Sequence, residues 1–340
     1  MYRYYTILFP FIMHACVHTH TRFENPAGSF VAKSSTADWL SFISRRVLGS
    51  RNSYENILSQ YTLGREEALK KLKQRQKEDF ITWIGHATFF IRLDQKYILT
   101  DPFFSNVAGK YSIGPRRYST PNIGIEDLPK LDVLICTHNH YDHLDIKSLC
   151  TIRKKFGNKV QVFCPIGLSE YFQQCGFTAI REMNWNQQAN VGKNLEIYCL
   201  PAIHNSGRSF FDKNKTLWCG FGLKTKSFCI YFAGDTAYHS KVFKEMRSTL
   251  KQCDVAILGI GAYEPETLLT QYHTNPEQAV QIALDIGAKN IVGMHWGMLN
   301  LSDEPVDEPI KRFCKAAESF GFSSNNIWRI KVGETVSLEK

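Results

Sequence analysis

The stretch Cys136-Thr137-His138-Asn139-His140-Tyr141-Asp142-His143-Leu144-Asp145 holds three histidines and an aspartate within six positions, in the order His-x-His-x-Asp-His. Directly before it runs Leu131-Asp132-Val133-Leu134-Ile135-Cys136, an apolar segment of β type. The cluster therefore falls where a buried strand ends and a loop begins, the place from which a rigid sheet presents side chains to a cavity. Imidazole nitrogens and carboxylate oxygens are ligands that suit zinc. A polar loop with chance histidines is the alternative, and this density of histidine argues against it.

One zinc takes about four ligands, so two ions require further donors from the rest of the chain. These follow, each at the end of an apolar run. Leu195–Ile203 leads into His204, Phe228–Gly234 into Asp235, and Asn290–Met294 into His295. Alone, His204 or His295 would read as a satisfied core histidine and Asp235 as a turn residue after Gly234. Their shared position at strand ends makes all three candidate ligands.

This pattern resembles the metallo-β-lactamase superfamily. The blocks Thr82–Thr88, Leu99–Ser105, Tyr231–Thr236, Gly261–Pro265, Tyr272–Glu277 and Met294–Gly297 narrow the resemblance to the N-acyl phosphatidylethanolamine-hydrolysing phospholipase D family and its bacterial relatives, over about residues 80–336. The resemblance implies an α/β fold, the metallo-β-lactamase αββα sandwich, with the metal site at one edge between two sheets. It implies two Zn2+ ions: one on His138, His140 and His204, the other on Asp142, His143 and His295, with Asp235 bridging. It places His273 in the active site as an acid or phosphate donor, outside the ligand set, with Asp142 also catalytic. Tyr141 would line the substrate path. Where the family has Gln before that histidine, this chain has Tyr272. The implied reaction is hydrolysis of N-acyl phosphatidylethanolamine to N-acylethanolamine and phosphatidate. A lactonase or nuclease on the same scaffold, and a non-catalytic zinc-stabilised protein at membranes, stay open as alternatives.

Around these ligands, three residues have two readings each. Asp101 either accepts a hydrogen bond from a ligating imidazole or caps the turn before Pro102. Asp145 either does likewise or caps a helix from Ile146. His86, after Gly85 in a tight turn, is expected to support the site rather than to bind metal.

The chain has 340 residues, enough for one large core or two small ones. A net charge of +9 and a pI near 9.0 suit anionic surroundings, lipid or nucleic acid. The motif blocks favour a phospholipid at a membrane surface as partner and no nucleic acid; a homodimer is left open. No apolar run reaches the roughly 18 residues that cross a bilayer. Ten cysteines show no C-x-x-C pair and read as small buried hydrophobes in a reducing compartment. The expected location is cytoplasmic and peripheral to a membrane. Residues 1–20 carry the outline of a secretory signal, which keeps the secretory pathway as an alternative.

Residues 1–79 read as an N-terminal extension, partly helical or disordered, and residues 80–340 as the catalytic domain. Asn25-Pro26-Ala27-Gly28 breaks any helix. Asp38 is a candidate N-cap for a helix over 39–48, whose Trp39, Leu40, Ile43 and Val47 form one apolar side, with Arg45 and Arg46 beside it. That stripe fits an in-plane membrane helix or a face packed on the domain. A second, strongly polar helix is expected over 65–78. The strands at 81–84, 88–93 and 96–100 make a meander at a sheet edge. Helices are expected at 146–154, 168–175, 241–250, 276–286 and 309–319.

Overall fold

Side chains alternate across a strand, so a strand covered on both faces is apolar at every position yet sorts its residues into two sets. The computed structural model, which describes residues 22–29, 37–38, 40–42, 44, 54–209 and 211–338, shows this sorting directly. In β1 (Phe80–Gly85), Ile81 and Trp83 face a second sheet, while Phe80 and Ile84 face helices. In β2 (Thr88–Leu93), Phe89 and Ile91 take the first side and Phe90 the second. The same holds for Ile98 against Leu99 in β3 (Lys96–Thr100), and for Ile135 against Leu134 in β4 (Val133–Ile135).

β5 (Gln161–Pro165) and β6 (Ile180–Met183) extend this sheet in parallel. The second sheet contains β7 (Gln188–Val191), β8 (Leu195–Leu200), β9 (Gly220–Lys224), β10 (Cys229–Phe232), β11 (Cys253–Gly259), β12 (Ala288–Met294) and β13 (Ile327–Trp328). Among the described residues each sheet has seven strands, ordered β14-β1-β2-β3-β4-β5-β6 and β13-β12-β11-β10-β9-β8-β7. The meander is therefore not at the edge. β14 (Thr335–Ser337) returns from the C-terminus and pairs antiparallel with β1, Phe80 opposite Ser337. No local feature near Phe80 announces a partner some 250 residues away.

Helices α1 (Arg65–Gln74), α2 (Ile146–Phe156) and α3 (Ser169–Gln173) cover the first sheet through Ala68, Leu72, Leu149, Ile152 and Phe172. Helices α4 (Ser240–Leu250), α5 (Pro276–Ile286) and α6 (Glu308–Ser319) cover the second through Phe243, Met246, Ala279, Ala283 and Phe313. The layers are helix, sheet, sheet, helix, as expected.

Two further expectations change. Cys150 and Cys175 form a disulfide, so the cysteines are not all reduced. Cys150 lies in α2, Cys175 lies just past α3, and the fold sets their Cα atoms 4.7 Å apart, within bonding range. The remaining described cysteines are free, and all but Cys314 are buried. The second helix is also not wholly solvated, since Ala68 and Leu72 enter the core with Leu63.

Ala37, Asp38, Leu40–Phe42 and Ser44 are helical, so Asp38 sits inside its helix rather than ahead of it. Leu40 is 63% exposed, whereas Phe42 packs on Leu268 and Leu269. Trp39, Ile43, Arg45, Arg46 and Val47, and the candidate signal at 1–20, lie outside the described residues.

Candidate metal centre

The loop that follows β4 and the turns that follow β3, β10 and β12 meet at one end of the two sheets. Asp101, one residue past β3, accepts hydrogen bonds from Thr137 N (2.7 Å), Thr137 Oγ1 (2.7 Å) and His143 Nδ1 (2.8 Å). It is thus bonded to a candidate ligand and to the loop that carries the others. Burial raises its pKa above the ordinary carboxylate value, with His143 and Thr137 pulling the other way. Asp145 does cap α2, accepting from Lys147 N at 3.2 Å, and it also accepts from Ser105 N at 3.1 Å.

These bonds determine which ring nitrogens face inward. His143 donates Nδ1–H to Asp101, and His204 donates Nδ1–H to the Tyr272 carbonyl at 2.8 Å. Thr137 Oγ1 spends its own proton on Asp101, so the 3.0 Å contact from His138 Nδ1 is an N–H donated to Thr137. Each of these imidazoles is left with Nε2 directed at the centre.

The donors converge in three overlapping groups, each with its ligand atoms within 4.8 Å of one another: His138, His140, His204 and Asp235 in the first, His86, Asp142, His143 and His295 in the second, and a smaller third of Asp235, His273 and His295 that joins them. In the first, His140 Nδ1 lies 2.9 Å from His138 Nε2 and 3.2 Å from His204 Nε2. In the second, His143 Nε2 lies 3.2 Å from His295 Nε2. Asp235 stands between them. Its Oδ2 is 3.1 Å from His143, 3.7 Å from His204 and 3.8 Å from His138, and its Oδ1 is 3.2 Å from His295.

Asp235 reaches this position because Gly234 turns with φ +60° against Thr137; a Cβ there would meet Thr137 Cγ2 at 2.7 Å. Asp235 Oδ1 is buried and accepts no hydrogen bond. An orphaned carboxylate oxygen beside converging nitrogen lone pairs fits divalent cations.

The electrostatics agree. Burial holds His138 and His204 well below the usual histidine pKa, so their lone pairs are available. Burial also disfavours charge on His143 and His295, but Asp235 and Asp142 outweigh it. His143 rises well above its ordinary value and His295 to about 9. Asp142 and Asp235 stay ionised: burial opposes their charge, and the neighbouring histidines more than offset it. The cavity thus attracts positive charge at the place where its donors meet.

His86 donates Nε2–H to Asp142 Oδ2 at 2.9 Å, which orients that carboxylate, although its ring nitrogen also lies within the second group. Its pKa falls to about 3, chiefly through burial. His273 sits at the rim, its side chain 18% exposed and its Nδ1 3.7 Å from Asp235 Oδ2. Burial lowers its pKa to about 4, so it is neutral near pH 7. Tyr141 donates to the Arg208 carbonyl at 3.2 Å and packs beside Phe103, Ala108 and Leu299.

The sequence reading overlooked two contributors. Arg208 donates Nη1–H to the carbonyls of Asn139 (2.9 Å) and Leu144 (2.7 Å) and lies 3.7 Å over the Tyr141 ring, clamping the ligand loop. Asn25 bonds the backbone of His204. Nothing in the local pattern marks either residue.

A sequence profile of the beta-lactamase superfamily domain matches residues 96–296, and the chain belongs to that superfamily. Its fold is the metallo-β-lactamase fold, and its fold and donor set together are those of a metal-dependent hydrolase. Within the superfamily the chain is similar to N-acyl-phosphatidylethanolamine-hydrolyzing phospholipase D 1 of Caenorhabditis elegans, 36% identical over 227 residues, covering 64% of each chain. It is also 37% identical over 246 residues to the mitochondrial N-acyl-phosphatidylethanolamine-hydrolyzing phospholipase D of Saccharomyces cerevisiae, covering 71% of this chain and 52% of that one. The aligned region thus spans between about half and just under two thirds of these relatives. A metallo hydrolase from the archaeon Ignicoccus hospitalis shares the fold with a TM-score of 0.59 at 22% identity, covering 77% of this chain and 99% of that one.

Proposed function

We propose that this protein is a zinc-dependent phosphodiesterase that hydrolyses N-acyl phosphatidylethanolamine to N-acylethanolamine and phosphatidate. The observation that carries the reading is Asp235 standing between two converging donor groups, with the neutral His273 at their open edge. His138, His140 and His204 would hold one Zn2+, and Asp142, His143 and His295 the other, with Asp235 shared. Bound there, a pair of such ions supplies hydroxide at neutral pH and offsets the charge that builds on phosphoryl oxygens.

The chain's own residues supply orientation and a proton relay. Asp101 and the Tyr272 carbonyl keep His143 and His204 in the tautomer that faces inward. In the reaction an oxygen from water bonds to phosphorus, and the bond from phosphorus to the ethanolamine oxygen breaks. The departing oxygen then takes up a proton. Neutral His273 is the group we assign to accepting the proton given up by the attacking water and passing it to that oxygen, or to a hydrogen bond with the phosphate. Asp142, held by His86, serves through its ligand position, and Tyr141 lines the path by which substrate enters.

The substrate resides in membranes, so in this reading the protein works at a membrane surface. No helix among the described residues is long and apolar enough to cross a bilayer. The similarity to the worm and yeast phospholipases supports the substrate class. The test is a parallel assay of the zinc-loaded chain on defined N-acylated phosphatidylethanolamine, a cyclic lactone and RNA. Release of N-acylethanolamine from the lipid alone is expected. Turnover of lactone or RNA with an inert lipid would overturn the assignment.

A further inference from the structure

Past β8 the chain leaves its ladder at Pro201, and the next backbone N–H groups need partners from elsewhere. Ile203 N donates to Thr236 Oγ1 at 2.9 Å, beside Asp235. His204 N donates at 2.9 Å to Asn25 Oδ1, a residue 179 positions earlier in the chain. The same oxygen accepts from Trp218 Nε1 at 3.0 Å, which also reaches the Ala202 carbonyl at 3.0 Å. One side-chain oxygen thus joins the His204 backbone to the segment that enters β9.

The segment around Asn25 is itself held. Phe23 N donates to the Asn214 carbonyl at 2.8 Å, and Asn214 N donates to the Ser206 carbonyl at 2.8 Å, in the loop that follows His204. Pro26 restricts Asn25 to extended backbone, which favours this pose before any contact forms. A turn from Pro26 to Ser29 then carries the chain away.

We infer that residues 22–29 form a strap belonging to the metal centre, in which Asn25 is a positioning residue that fixes His204 and thereby governs how firmly the His138, His140, His204 and Asp235 group holds its ion. The inference rests on the reading of that group as a metal site. The His204 ring is oriented by its Nδ1–H bond to Tyr272, but a ring is only as well placed as the backbone that bears it. Without Asn25 the N–H of His204 loses its acceptor, and the ligand keeps only the contact at its ring. Both partners of Asn25 Oδ1 are donors, so the site requires an acceptor there and no more. Aspartate supplies one; alanine does not.

The experiment uses the full-length chain loaded with zinc, as wild type, Asn25→Ala and Asn25→Asp. Zinc is counted by elemental analysis, and its release to a chelating dye is followed over time, with thermal unfolding in excess zinc as the check on folding. Wild type is expected to release two zinc ions slowly. Asn25→Ala should release one of the two at least about 10-fold faster, in line with the loss of a group that orients a ligand, while the other is unchanged. Asn25→Asp should match wild type. Release at the wild-type rate by Asn25→Ala overturns the inference, as does equal acceleration of both ions or failure of that variant to fold. Fast release by Asn25→Asp overturns the hydrogen bond as its cause. A wild-type protein that holds no zinc overturns the metal-centre reading itself, and is told apart by that result.

Discussion

Asp235 is the carboxylate toward which four histidines of the two donor groups point, at 3.1 to 3.8 Å. Asn in its place keeps the shape and loses the charge. Asp235→Asn is therefore expected to bind fewer than two zinc ions and to lose at least about 10²-fold in turnover, with the fold intact by circular dichroism. A variant with full activity and two zinc ions would remove Asp235 from the centre. His273 is argued differently, because it lies at the rim and its pKa of about 4 leaves it uncharged near pH 7. His273→Ala should lower turnover by about 10²-fold with zinc content unchanged. Loss of zinc instead would make His273 a ligand. At this scale the candidate ligands were legible, since metal-binding side chains are rare enough to show as a cluster in His138–His143. Asp101 was only half legible: its cap reading and its support reading differ by a partner, His143, that no local pattern reveals.

At the scale of elements, the ligand loop between β4 and α2 is held from outside itself. Arg208 reaches two of its carbonyls and stacks on Tyr141. Lysine carries the charge but has no planar guanidinium to stack on the Tyr141 ring at 3.7 Å while its nitrogen serves both carbonyls. Arg208→Lys should speed amide hydrogen exchange across residues 138–144 and reduce turnover by about 10-fold, roughly what the weakening of a charge-assisted hydrogen bond costs. Unchanged exchange in that loop would show that the clamp is idle. The helices and most strands near the site follow from apolar periodicity and capping residues, such as Asn275 before Pro276 with Gln278 completing the cap. The C-terminal strand β14 was not legible, because only Thr335–Ser337 pair and the segment is too short to show a period. The disulfide was missed for a related reason: Cys150 and Cys175 are paired by helix packing, not by spacing.

For the whole molecule, the arm before β1 proves to be part of the core. Leu63, Ala68 and Leu72 lie in the cluster beneath the first sheet. Each buried leucine contributes about 1.5–3 kcal/mol, a large share of a typical stability of about 5–15 kcal/mol. A chain starting at Lys77 is therefore expected to unfold or aggregate, whereas one starting at Tyr54 should melt cooperatively, as thermal unfolding by circular dichroism would show. If the shorter chain melts like the full one, the arm is dispensable to the fold. If the chain from Tyr54 keeps its fold and loses binding to anionic vesicles, the residues before it carry the membrane contact. The sequence by itself determined the layered α/β class and the candidate donors, because burial on two faces and clustered imidazoles leave local signatures. Only the tertiary structure decided which partner orients each donor. Asp101 to His143, Arg208 to Leu144 and Asn25 to His204 are contacts across 42, 64 and 179 positions. Hydrogen bonds act over about 3 Å of space and are indifferent to separation along the chain.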